Sequence, residues 1–120
     1  MQYLLLIYGN EKYWDTLTEA EKNSISQEYG ELSGSFAKSG NLRGGNELAP
    51  VATATTVRVR DGKPAVTDGP FAETKEQLGG YYLVEAADLD EAIALAARIP
   101  SGRWGSIEVR PIIPHEPPPA

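Results

Sequence analysis

The sequence predicts one α+β domain, with two helices on one face of a mixed, mainly antiparallel sheet, in the order βαββαβ with a small hairpin inserted. Three observations point there. An apolar run, Tyr3-Leu4-Leu5-Leu6-Ile7-Tyr8, opens the chain. Two stretches carry helix-start boxes followed by apolar residues every three or four positions. Most other apolar residues alternate with polar ones, as in half-exposed strands.

Gln2 to Tyr8 is predicted as a central strand, because a near-continuous apolar run suits a strand partly covered on both faces. Gly9-Asn10 ends it. Thr16-Leu17-Thr18-Glu19-Ala20-Glu21 holds two overlapping capping boxes, and Ile25, Tyr29, Leu32 and Phe36 carry a helix to a stop at Ser39-Gly40-Asn41. Gly30 and Gly34 each weaken this helix by about 1 kcal/mol against alanine. Close approach of helix to sheet is the expected reason, and a ligand passing over them is the alternative. The stretch from Gly44 to Pro50 reads as a flexible connection.

From Ala52 to Arg60 a strand puts Thr55, Val57 and Val59 on one face and Thr56, Arg58 and Arg60 on the other. Asp61-Gly62 turns the chain back through Lys63 to Thr67, and Pro64 places that return strand at an edge. After Gly79-Gly80, Tyr82, Val84 and Ala86 alternate with Tyr81, Leu83 and Glu85 in the next strand. Asp88-Leu89-Asp90-Glu91 caps a second helix, which runs through Leu89, Ile93, Ala96 and Ala97 to a stop at Pro100. Ser106 to Arg110 forms the last strand, with Ile107 and Val109 inward. The domain is expected over residues 1–111, and residues 112–120 form a proline-rich tail containing solvent-facing His115.

Two helices on one face leave the other face of the sheet bare, yet apolar and aromatic residues occupy more than one strand face. A homodimer apposing two such faces solves this and encloses a small cavity. The formal charge of −6 opposes binding to nucleic acid or an anionic membrane. The apolar start falls far short of the roughly 20 residues needed to cross a bilayer, so a cytoplasmic protein is expected. Cysteine is absent and histidine occurs once, which excludes disulfides, thiolate catalysis and a multi-histidine metal site. No phosphate loop, zinc motif or nucleophile elbow is present, so neither cofactor nor metal is expected.

The most constrained segment is Asp68-Gly69-Pro70-Phe71, followed by the charged Glu73, Lys75 and Glu76. It reads either as an Asx-type turn plugged by a buried Phe71, or as a rigid mount holding Asp68 at a cavity mouth as base or polar contact. A carboxylate of pKa about 4 is a weak base at neutral pH, so the second role needs an environment that raises it. Arg58 and Arg60 either hold a small anionic ligand in an intersubunit cleft or pair with nearby carboxylates. Tyr81 and Tyr82 must point to opposite sides; one packs under a helix and the other lines the bare face. The candidate site is therefore Asp68 and Arg58 for catalysis, with Arg60, Tyr81 and Tyr82 as ligand contacts.

With Asp68-Gly69-Pro70-Phe71-Ala72-Glu73-Thr74-Lys75-Glu76 and Gly79-Gly80-Tyr81-Tyr82 in view, the chain resembles the DGPF branch of the YCII-related proteins. The resemblance runs from Tyr3-Leu4-Leu5-Leu6-Ile7-Tyr8 through Thr53–Gly62 to Ile107-Glu108-Val109-Arg110-Pro111. It implies a ferredoxin-like fold assembled as a dimeric α+β barrel. Some such relatives look like small enzymes that pair a first-helix histidine with a cleft aspartate. Here Gln27, Glu28 and Tyr29 occupy the middle of that helix, and only Asp68 matches the aspartate of the Asp-Gly-Pro-Phe motif. DGPF-type proteins are also associated with transcription-factor gene neighbourhoods in bacteria. The expectation is a dimeric small-molecule-binding protein with isomerase- or lyase-like activity; the alternative is a noncatalytic interaction or regulatory module.

Overall fold

In the computed structural model, which describes residues 1–116, six strands and three helices follow one another. They are β1 (Gln2–Gly9), α1 (Glu11–Asp15), α2 (Glu19–Lys38), β2 (Leu42–Glu47), β3 (Thr55–Arg60), β4 (Lys63–Asp68), β5 (Gln77–Glu85), α3 (Leu89–Ala96) and β6 (Ser106–Pro111). Short 3-10 turns lie at Val51–Thr53 and Pro100–Arg103. The fold is α+β, as expected. One sheet has the order β2-β5-β1-β6, and β3 and β4 form a separate two-stranded ribbon. This is the order of a ferredoxin-like unit, with the ribbon inserted between its second and third strands.

Every pairing is antiparallel, so the sheet is not mixed. The helical crossovers join strands of like direction, but a strand of opposite direction lies between the members of each such pair. Tyr3, Leu5, Tyr82 and Val84 point to one face and meet Leu32 and Phe36 of α2 and Ala92, Leu95 and Ala96 of α3 in one core. Phe36, Leu5, Val84 and Ile99 are wholly buried, each contributing on the order of 2 kcal/mol. Tyr82 meets Phe36 edge-on, and its hydroxyl shares a 2.8 Å hydrogen bond with Ser33.

The second helix box is used as written: Thr18 caps α2 and Glu21 returns the bond, while Asp88 caps α3. Three expectations give way. The segment read as a flexible connection from Gly44 holds most of β2, whose pairing with β5 runs from Leu42 to Glu47. Asn10 caps the short α1, which the sequence reading left out. Gly30 and Gly34 do not serve close helix-to-sheet packing, because a Cβ at either would meet nothing within 4 Å.

The ribbon turns at Asp61 and Gly62, both at positive φ, as a two-residue type I′ hairpin requires. Its side chains are exposed except for the half-buried Thr56. The radius of gyration is 16.9 Å, above the about 14 Å of a compact chain of this length. At the far end, the Ile112 amide donates to the Gln2 carbonyl, so the proline-rich segment starts out along β1. The tail residues Pro117 to Ala120 lie outside the described residues.

Candidate functional site

The face of the sheet turned away from the helices is bare. Register places Leu4 beside Leu83 and Leu6 beside Tyr81, while on the other side Leu4 faces Arg110 and Leu6 faces Glu108. Half-buried leucines thus form an apolar strip along the centre, flanked on both sides by hydrogen-bonding groups. On the β2 side, the Asn46 amide donates to the Tyr81 hydroxyl at 2.8 Å. On the β6 side, the Tyr8 hydroxyl donates to Glu108 at 3.3 Å, and Arg110 pairs with the same carboxylate.

The Arg110 hydrogen bond holds the Glu108 carboxyl below its usual pKa, and Glu108 in turn raises that of Arg110. Glu108 is therefore an ionised acceptor at neutral pH and a poor proton donor. Arg110 keeps donors free of that bond, since a guanidinium carries five N–H groups. A ligand on this face would meet the Arg110 guanidinium beside the Glu108 carboxylate it pairs with, two phenols, an amide and a strip of leucine. That set suits a small molecule with an anionic end and an apolar body.

The other sequence-chosen residues lie elsewhere. Arg58, Arg60 and Asp68 are exposed on the ribbon. Asp68 pairs with Thr55 and Arg58 with Ala65, so their side chains leave opposite faces of the ribbon. Neither Arg58 nor Arg60 forms an ion pair among the described residues; Arg60 donates instead to the Val59 carbonyl. The pairing with nearby carboxylates is thus absent. The plugged turn is absent too, because Phe71 is 78% exposed. Gly69 makes the corner instead, at φ +94°, its amide donating to Ala54 and its carbonyl accepting from Thr56 Oγ1.

Of the two tyrosines, Tyr81 lies on the bare face and Tyr82 lies under α2 at 8% exposure. The middle of α2 is occupied structurally. The Tyr29 hydroxyl bonds Ser101 and Glu28 pairs with Arg103, and burial raises the Tyr29 pKa, so that phenol stays protonated. A groove of about 440 Å³ beside Glu28, Glu31, Ser35 and Arg98 opens on this helical side, away from the bare face. Among the described residues, no three His, Cys, Asp or Glu side chains are placed to hold a metal ion.

A model of the YCII-related domain matches residues 1–116. The chain belongs to the YCII-related family. An uncharacterised protein of Rhizobium meliloti (strain 1021) is 35% identical to it over 119 residues, 98% of this chain and 96% of the relative. In this YCII-related protein, Tyr8, Asn46, Glu108 and Arg110 are residues of the candidate site that sequence reasoning missed. The alternation around Ile107 and Val109 already set Glu108 and Arg110 on the outer face. Their meeting with Tyr8 depends on cross-strand register, which no single segment reveals.

No helix of the described residues is long and apolar enough to cross a membrane.

Proposed function

We propose that this YCII-related protein is a homodimer that binds a small anionic molecule in the seam between its bare sheet face and a second copy of the chain. The observation that carries this reading is the leucine strip flanked by Arg110, Tyr8, Tyr81 and Asn46 on a face that no element of the subunit covers. A second copy supplies the missing cover, and the polar flanks leave hydrogen-bonding capacity inside the seam. Asp68-Gly69-Pro70-Phe71 supports placing the chain in the DGPF branch. Isomerase- or lyase-like chemistry is the further step, and it needs a proton acceptor. Glu108 is tied to Arg110, which leaves Asp68 as the acceptor to test, with Arg58 as a charge on the other side of the ribbon.

Titration of the protein with a panel of small mono- and dicarboxylates, followed by backbone NMR, checks the reading. Binding should shift the amides of β1, β5 and β6, and Arg110→Gln should weaken it by about tenfold or more, as expected for a lost charged hydrogen bond. Failure of every acid to shift the bare face, or full affinity in Arg110→Gln, would overturn the site. Turnover would then be sought as product formed from a bound acid and lost in Asp68→Asn.

A further inference from the structure

The β3–β4 ribbon carries a second bare apolar face. By register, Thr55, Val57, Val59, Pro64, Val66 and Asp68 share one side, and Thr56, Arg58, Arg60, Lys63, Ala65 and Thr67 share the other. Val57, Val59 and Val66 are 60%, 64% and 64% exposed. A two-stranded hairpin alone in water is marginal, so this ribbon needs a surface to pack on. The charge pattern says which side can be covered at the lower cost. All three cations are on one side, so the valine side can be covered without burying a cation, and its single charge is Asp68.

The base of the ribbon is aimed rather than slack. The Val51 amide donates to Glu11 Oε2, and the Glu11 amide donates to Gln77 Oε1, so α1 clasps both ends of the inserted segment. We propose that the ribbon is an exchanged arm whose valine side lies on the bare leucine face of a second copy, bringing Asp68 into the site that the partner's sheet provides. This rests on the dimer proposed above. A β-ribbon laid on a sheet is an ordinary face-to-face packing, and twofold symmetry lets each arm cover the other subunit. Asp68 then approaches the Arg110–Glu108 pair of that face, where Arg110 of the partner subunit keeps N–H donors outside its bond to Glu108, which adds polar to apolar complementarity. Each site is incomplete without the other chain's arm, and Arg58 and Arg60 stay on the outer side.

The absence of cysteine makes the test clean. Chains carrying Val66→Cys and Leu4→Cys, with different tags, are co-expressed and treated with a short bis-maleimide. The double variant Leu4→Cys/Val66→Cys is treated alone, and sedimentation of each sample gives its oligomeric state. The expected result is a dimer in which the two differently tagged chains are cross-linked, with cross-links between chains prevailing over those within one chain. Cross-linking only within the double variant's own chain means that the arm folds back on its own sheet, which overturns the proposal. A dimer without either cross-link overturns the exchange and leaves the dimer standing, whereas a monomer overturns both. As a second measurement, Val57→Lys/Val66→Lys changes only exposed residues; it should raise the dimer dissociation constant at least about tenfold, and an unchanged constant would contradict the arm.

Discussion

Glu11 does more than its place in a five-residue helix suggests. Its carboxylate accepts from Val51 and its amide donates to Gln77, so Glu11→Ala should lower stability by roughly 1–2 kcal/mol in urea unfolding and speed hydrogen exchange at Val51. Tyr82 was one of two tyrosines the alternation could not assign to a side; its hydroxyl pairs with Ser33. Tyr82→Phe should therefore cost about 1 kcal/mol without altering the bare face, whereas Tyr81→Phe frees Asn46 on that face. The Glu108 carboxyl is held below the usual carboxylate range, chiefly by the Arg110 hydrogen bond. A depressed carboxylate pKa means that the pair's stabilisation is present above the ordinary value and is lost as pH falls through the folded-state value. An NMR titration should place the Glu108 midpoint below that of a free glutamate and move it upward in Arg110→Gln. These contacts were hidden in the sequence because each joins residues far apart in the chain.

At the scale of elements, the capped helices and the ribbon turn were legible because their signals are local: Thr18 with Glu21, Asp88, and Asp61-Gly62. The strand β2 was not, because Gly44-Gly45 lowers strand propensity and resembles a linker. Its glycines fit a crowded ladder. A Cβ on Gly45 would lie 3.0 Å from the Tyr81 carbonyl oxygen, and one on Gly80 would lie 2.9 Å from that of Asn46. Gly30 and Gly34 have open space instead, so Gly30→Ala or Gly34→Ala should each stabilise the chain by about 0.5–1 kcal/mol. Gly105→Ala makes the opposite case, since its Cβ would fall 2.1 Å from the Tyr8 carbonyl oxygen; a loss above about 2 kcal/mol is expected. Thermal or urea unfolding of these variants checks both signs, and destabilisation by the α2 alanines would contradict the open-space reading.

For the whole molecule, the bare face and the outstanding ribbon are two parts of one problem: a chain this small leaves apolar surface on both. The sequence showed the first part, through alternation on the strands and only two helices to cover them. It showed only half of the second, because Val57 and Val59 were seen to share a face, but nothing local revealed that the ribbon leaves the body. For the same reason the candidate site drew on Arg58 and Asp68, and the cluster of Tyr8, Glu108 and Arg110 became visible only when β1 and β6 were paired. Dimerisation through the bare face is the central claim. Sedimentation of the unmodified chain at micromolar concentration tests it most directly when run beside Leu6→Lys, which places a charge in the middle of the leucine strip. The expected result is twice the chain mass for the native protein and a folded single chain for Leu6→Lys; a native protein that stays monomeric as concentration rises, or a Leu6→Lys dimer of native affinity, would contradict it.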